Sequence, residues 1–338
     1  MAELSIMVVE QDRMAQLQTY IVTGGNSGLG FQCASALAAD TSNRVVIACR
    51  DAGKGEQAVQ MLTKVGGKAE FLQLDLASQP SIHGFVDALR KRGLPPLAGL
   101  ICNAGGQSIV APTRTADGYE TTFAVNHLGH YLLTRLLLPD LGQGARIVFV
   151  SSGTHDPKAK TGMPEPHYVS AEAVAHDFEP GAEAGKRRYT TSKLCNVYDT
   201  YELARRLAAS SDSRLQSIRV DAFDPGLMPG TGLVRTYSGP LRFVWNYLLP
   251  IGTLFYPNVN SPAKSGRRLA LLAAGPQAGT TGKYFSNGRE IRSSELSYNT
   301  ANSRDLWDTS AEMTNLSQEL EAHSAAGGSH HPTSAGQS

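Results

Sequence analysis

The feature that most constrains this chain is a regular exchange of two hydrophobic periods along its first 150 residues. Residues 19–23 form a short apolar run that reads as a strand, and residues 28–39 (GLGFQCASALAA) have the apolar spacing of a helix. Residues 44–49 (RVVIAC) are β-branched and continuous, as expected of a strand covered on both faces. A helix fits residues 54–64, a strand 69–74, a helix 81–92 and a strand 98–102. Residues 118–141 are helically periodic, and residues 146–150 (RIVFV) are again a continuous strand. Parallel strands need crossover connections, so this alternation predicts an α/β fold with a single doubly wound parallel sheet and helices on both faces.

The rhythm pauses between residues 152 and 186, a stretch rich in Pro, Gly, Ala and Glu that predicts a long lid loop over 153–187. Helix and strand resume at 188–209 and 217–223, with a last short strand at 282–285. The expected layout is an N-terminal extension (1–18), one catalytic domain (19–320) with a small helical substrate cap at about 230–262, and a polar, disordered tail (322–338). Residues 1–18 contain Glu3, Glu10 and Asp12 and lack a basic start, so they do not read as a secretory signal. The uncharged stretch from Phe243 up to Lys264 is broken by Pro250, Pro257 and Pro262, which argues against a membrane-spanning helix.

Composition narrows the class further. Hydrophobic residues make up 41% and charged residues 18%, values of an ordinary globular protein, and a net charge of +1 offers no footprint for nucleic acid. Cys33, Cys49, Cys102 and Cys195 show no CxxC pairing, so no metal site is read from them. They are expected to be reduced thiols in a cytoplasmic protein.

Directly after the first strand stands Thr23-Gly24-Gly25-Asn26-Ser27-Gly28-Leu29-Gly30, and a helix starts there. Glycines let the backbone turn tightly and approach a pyrophosphate, whose charge then meets the N–H groups of the helix start. The strand–turn–helix placement favours a dinucleotide site over a plain tight turn. The second strand ends at Cys49 and is followed by Arg50, where an NAD site would carry a carboxylate. A guanidinium pairs with a 2′-phosphate, so NADP(H) is the expected cofactor, with Asp51 pointing to solvent.

These pieces, followed in order by Asp75-Leu76, Asn103-Ala104-Gly105, Asn126, Ser152, Tyr189-x-x-x-Lys193 and Pro225-Gly226, resemble the short-chain dehydrogenase/reductase family over roughly residues 19–320. The resemblance implies a Rossmann fold and a catalytic set of Asn126, Ser152, Tyr189 and Lys193. Its cofactor site would comprise Thr23, Gly24, Asn26, Ser27, Gly28, Leu29, Gly30, Arg50, Asp75, Leu76, Asn103, Ala104, Gly105, Tyr189, Lys193, Pro225 and Gly226. It further implies that Ser152 bonds the substrate oxygen, that Lys193 also holds the nicotinamide ribose, and that Asn126 supports a water-linked proton path to the lysine. Asp75 would touch the adenine side, and a homo-oligomer is what the family implies. The chemistry suits these types: hydride delivery to a carbonyl leaves negative charge on oxygen, and a tyrosine with a pKa of about 10 needs a cation one helical turn away to act near neutrality.

Within that family, ACRD (48–51), VNHLGHYLLTRLLLP (125–139) and YTTSKLCN (189–196) look like the retinol dehydrogenases and the light-dependent protochlorophyllide reductases. LICNAG, THDP (154–157), FEP (178–180), GKYFS (282–286) and the long insertion before Tyr189 lean toward the latter. Those enzymes typically carry threonine where Ser152 stands, and their lid is longer. His127, His130 and Cys195 are read as packed helix residues, and Ser151 as the non-catalytic member of its pair. Cys102 is read as strand packing, with a substrate-side role as the alternative. The aromatic run at 243–249 is either core, the lining of a pocket for a bulky apolar substrate, or a contact with a membrane surface.

Three functions follow as expectations. The first is an NADPH-linked carbonyl reductase or alcohol dehydrogenase acting on a bulky hydrophobic small molecule. The second is light-dependent reduction of protochlorophyllide at a C=C bond. The third is a binding protein that senses NADP(H) without catalysis, which would need the glycine turn but not the catalytic set.

Overall fold

Eight strands form one sheet in the order β3-β2-β1-β4-β5-β6-β7-β8, the first seven parallel and β8 antiparallel to β7. They are β1 (Gln18–Thr23), β2 (Asn43–Cys49), β3 (Lys68–Gln73), β4 (Leu97–Cys102), β5 (Leu141–Val150), β6 (Arg219–Asp224), β7 (Lys283–Ser286) and β8 (Arg289–Ile291). The computed structural model describes residues 17–109, 111–228, 260–275 and 280–320. The extension through residue 16, nearly all of the expected cap with its aromatic run, and the polar tail lie outside the described residues.

Period-two alternation sorts each strand between two cores. Ile21, Val46, Leu100, Ile147 and Val220 face α3 (Gln79–Arg90), α4 (Gly129–Leu137) and α9 (Thr300–Met313). Val22, Val45, Ile47, Ile101 and Val148 face α1 (Gly28–Ala38), α2 (Ala52–Lys64) and α8 (Pro262–Ala274). All ten side chains are at most 1% exposed, and burying each contributes roughly 1.5–3 kcal/mol. The sheet is covered on both faces, as the continuous apolar runs imply.

The strand order reverses between β1 and β4, and the carboxyl ends of the strands there open into a cleft, the position where doubly wound sheets bind ligands. Helix α6 (Ala182–Ala209) runs across β5 and β6 toward that cleft. Short helices α5 (Ala171–Ala175) and α7 (Ser213–Ser217) complete the list among the described residues, together with a few single helical turns.

The structure departs from the sequence reading in several places. The periodic stretch 118–141 is a helical path that begins at Thr121, but Ala124–Leu128 is a π-turn, with the Gly129 N–H bonded to the Ala124 carbonyl. Residues 182–187 belong to helix rather than loop. Gly185 lies inside α6, where a Cβ would stand 2.2 Å from the Ser108 carbonyl oxygen, so this glycine marks a close approach and not a loop. The expected lid is fastened down for much of its length. Tyr168 Oη donates to Asp305 at 2.7 Å, the Ala171 N–H bonds the same carboxylate, and Ala171, Val174 and Ala175 are buried. Strand β8 and helices α8 and α9 have no counterpart in the sequence reading.

Candidate active site

The cleft at the carboxyl ends of the strands has a volume of 1720 Å³. Gly24, Asn26, Ser27, Gly28, Leu29 and Gly30 line it from the turn after β1, Arg50 from the end of β2, and Asp75 and Leu76 from the end of β3. Asn103, Ala104 and Gly105 line it after β4, Ser152 after β5, Tyr189 and Lys193 from α6, and Pro225 and Gly226 after β6. Two expected site residues, Thr23 and Asn126, are fully buried and stand behind its wall.

The glycine turn is built for close approach. A Cβ on Gly30 would lie 2.4 Å from the Gly24 carbonyl oxygen, while Gly24 and Gly28 adopt φ of +64° and +54°, where glycine is favoured. Ser27 occupies the N-cap position of α1 yet makes no side-chain capping bond, which leaves the helix start to an anion. Thr23 braces the turn from behind: its Oγ1 accepts from the N–H groups of Asn103 and Ala104, both at 2.9 Å, and Asn103 Nδ2 donates to the Thr23 carbonyl at 2.7 Å.

At the end of β2, Asp51 is exposed to solvent, as expected, and is paired there. Its carboxylate caps α2, accepting from the Lys54 N–H at 3.0 Å, and pairs with Lys54 Nζ at 3.0 Å. Those bonds hold its carboxyl below the usual carboxylate range. Arg50, whose main-chain carbonyl accepts from Gln73 Nε2, presents its side chain at the cleft. Asp75 spends one carboxylate oxygen on the Ala77 N–H and still borders the cleft.

Around α6 the expected catalytic residues converge. Lys193 is 4% exposed, and its ammonium donates to the Val150 carbonyl at 3.0 Å and lies 5.6 Å from the centroid of the Tyr189 ring. Burial pulls its pKa down to about 8. The Asn126 side chain grips Gly106 twice, accepting from its N–H and donating to its carbonyl, each at 2.9 Å, and also donates to Ser192 Oγ. Gly105 lies between Asn126 and the lysine: a Cβ there would stand 3.1 Å from Asn126 Oδ1 and 3.4 Å from Lys193 Nζ. Ser152 Oγ accepts from the Thr154 N–H at 3.3 Å, which leaves its own proton available to a ligand, whereas Ser151 Oγ donates to the Lys193 carbonyl. Both serines border the cleft, but the first spends its proton on the helix.

His127 and His130 are fully buried. His127 bonds Asp199 at 2.7 Å and Ser310 at 2.8 Å, joining the π-turn to α6 and α9 inside the core. His130 reaches Thr23 Oγ1 and the Asn126 carbonyl. Cys102 is 1% exposed and faces α4, with its Sγ 3.7 Å from Thr134 Oγ1, so it has no face on the cleft. Cys195 packs with Phe123 and Tyr198.

Two supports of the site were not read from the sequence. His155 borders the cleft and is 1% exposed; its Nδ1–H donates to the Ser152 carbonyl at 2.7 Å and its Nε2 accepts from the Ser294 N–H at 3.1 Å. Burial lowers its pKa, which suits the neutral ring that these two bonds require. Arg188, next to Tyr189, is buried against Glu120 at 3.5 Å and Asp177 at 3.6 Å and donates to the Glu179 carbonyl. It clamps the segment before α6 to the start of the π-turn path. Only the spacing of His155 from Ser152 and of Arg188 from Tyr189 hinted at either role.

A family model for short chain dehydrogenases matches residues 18–178. Protochlorophyllide reductase A of Oryza sativa subsp. japonica is 33% identical over 319 residues, spanning 88% of this chain and 80% of that protein. The protochlorophyllide reductase of Chlamydomonas reinhardtii is 32% identical, with 89% and 79% covered. Among solved structures, an uncharacterized protein from Mycobacterium Paratuberculosis shares 28% identity at a TM-score of 0.66, covering 90% of this chain and 95% of that one. The angucycline C-6 ketoreductase LanV, solved with bound NADP, shares the fold at 22% identity and a TM-score of 0.58, covering 80% of this chain and 94% of that one.

Proposed function

Because the chain belongs to the short-chain dehydrogenase family, we propose that it is an NADPH-dependent oxidoreductase acting on the carbonyl or alcohol group of a bulky hydrophobic substrate. The observation that carries this reading is the convergence of Ser152, Tyr189 and Lys193 on one wall of a cleft whose other wall is the glycine turn. The residues present fit the dinucleotide: an uncapped helix start for the pyrophosphate, and Arg50 beside a carboxylate already committed to Lys54. Bound NADPH supplies the hydride.

The chain's own residues manage the proton and the charge. Ser152 donates to the substrate oxygen and positions it. Tyr189 gives that oxygen its proton as negative charge develops there. Lys193, held in place by the Val150 carbonyl, stabilises the resulting tyrosinate. Asn126 fixes the Gly105–Gly106 backbone beside the lysine, where it keeps the wall of the cleft and the proton path in register. Oxidation of an alcohol runs the same steps in reverse. The test is NADPH consumption by purified protein against bulky ketones and aldehydes, with Tyr189→Phe as control; equal rates for the two proteins would overturn the mechanism.

A second reading is favoured by the plant and algal relatives, which are protochlorophyllide reductases at 32–33% identity over most of both chains. Here Tyr189 would protonate a carbon after light-driven hydride transfer to the pigment. Serine in place of threonine at position 152 argues against it. Absorption spectra with NADPH and protochlorophyllide, recorded in darkness and after illumination, decide. A chlorophyllide band that appears only after light establishes the second reading, and an unchanged spectrum with NADPH bound favours the first.

A further inference from the structure

We propose that His130 is a positioning residue that ties the π-turn carrying Asn126 to the dinucleotide turn, so that filling the cofactor cleft is transmitted to that π-turn. The inference rests on the oxidoreductase reading for its purpose and on hydrogen-bond valence for its geometry. His130 Nδ1 lies 3.2 Å from the Asn126 carbonyl, which can only accept, so Nδ1 carries the proton. In a neutral ring Nε2 is then an acceptor, and Thr23 Oγ1, 2.9 Å away, must donate to it. Burial lowers the pKa of His130 to about 3, which keeps the ring neutral at ordinary pH.

The Thr23 hydroxyl is fully used in this arrangement. Its proton goes to His130, the Ile101 carbonyl at 3.2 Å being the longer competitor, and its two lone pairs accept from the N–H groups of Asn103 and Ala104. The circuit closes on the other side, where the Asn126 side chain holds both polar groups of Gly106. The cleft-lining loop 103–106 is thus gripped at its start by Thr23 and at its end by Asn126, and His130 joins the two grips. Simple packing would account for the burial of His130 but not for a ring of bonds in which every donor and acceptor is spoken for. The two ends of the link, Thr23 and His130, are 107 residues apart in the chain.

The test uses the full-length chain with His130→Leu and His130→Gln. The glutamine retains one donor and one acceptor; the leucine retains neither. Amide hydrogen exchange is followed in segments 24–30 and 123–130, with and without NADPH, alongside NADPH affinity from its fluorescence. We expect NADPH to protect both segments in the wild type. In His130→Leu the protection should survive at 24–30 and vanish at 123–130, with affinity reduced about tenfold. His130→Gln should restore much of both. Should His130→Leu fail to fold, His130→Phe, which keeps a ring without a polar atom, breaks the same link and should give the same pattern. Unchanged affinity and undiminished protection at 123–130 in His130→Leu or His130→Phe would overturn the inference and leave the oxidoreductase reading standing. Failure of the wild type to bind NADPH would overturn both.

Discussion

The Lys193 ammonium lies 5.6 Å from the centroid of the Tyr189 ring, one helical turn away, and is pinned there by the Val150 carbonyl at 3.0 Å. Because burial lowers its pKa from 10.5 to about 8, this lysine is a cation below that pH and neutral above it. The reduction direction needs the cation, so kcat/KM for a carbonyl substrate should fall as pH rises through about 8. A profile flat to pH 10 would contradict the role given to Lys193.

The same shift has a sign for stability. Between pH 8 and 10.5 the unfolded chain binds more protons at this lysine than the folded one, so its contribution to stability rises with pH across that window and is unfavourable below it. Lys193→Met should therefore raise Tm at pH 7 while abolishing turnover, the trade-off expected where a buried charge is kept for chemistry. Calorimetry on the two proteins at pH 7 checks the direction.

Tyr189→Phe removes the proton donor and leaves the cleft shape unchanged. Turnover should drop by roughly 10²–10⁴-fold, the range for losing one general acid. NADPH affinity should stay within a few-fold of wild type. Steady-state kinetics together with fluorescence titration separates the two quantities.

Arg50 and Asp51 should behave oppositely, though they are neighbours. Arg50→Ala should weaken NADPH binding by about tenfold or more, the worth of one charge-assisted bond, and leave NADH binding unchanged. Asp51→Asn should keep the preference for NADPH. Asp51→Ala, which deletes the cap on α2, should lower Tm slightly. A loss of cofactor preference in the asparagine variant would mean that the carboxylate faces the ribose after all.

Arg188→Met should be the most destabilising of these changes. It removes the counter-charge of the Glu120 carboxylate, which is 1% exposed and keeps only its bonds from the Phe123 N–H and the Thr122 hydroxyl, and it removes the clamp on Asp177 and the Glu179 carbonyl; breaking such a pair costs on the order of 3 kcal/mol. Adding Glu120→Gln should recover part of the loss, because the buried charge then disappears. Thermal denaturation of the single and double variants measures the coupling, and faster proteolysis within 153–181 should accompany the single change.

Much of the architecture is legible in the chain itself. The runs RVVIAC and RIVFV announce strands covered on both faces, and the alternation from residue 19 to 150 implies a parallel sheet before any contact is known. The glycines at 24, 28 and 30, placed between strand and helix, mark the turn. Where reading by period failed, a close contact had overridden it. Gly185 looks like a loop residue but sits in a helix, where it is glycine because the Ser108 carbonyl leaves no room for a side chain. Asp51 is exposed to solvent as expected, and its role as the cap of a helix shows only in the structure.

The sequence by itself determined the order of elements from β1 to β5 and the glycine turn, because each is written in local spacing and residue type, while Asn126, Ser152, Tyr189 and Lys193 were legible as the proposed carriers of the proton chemistry only through the family resemblance. Only the tertiary structure decided that Thr23 and Asn126 support the cleft from behind, that His155 holds Ser152, and that Asp305 and Arg188 fasten the segment expected to be a lid. It alone closed the circuit from Thr23 through His130 to Asn126. The physical reason is that a buried polar group must find a partner wherever packing brings one within about 3 Å. For Thr23 and His130 that partner lies 107 residues away, a distance over which no periodic pattern carries information.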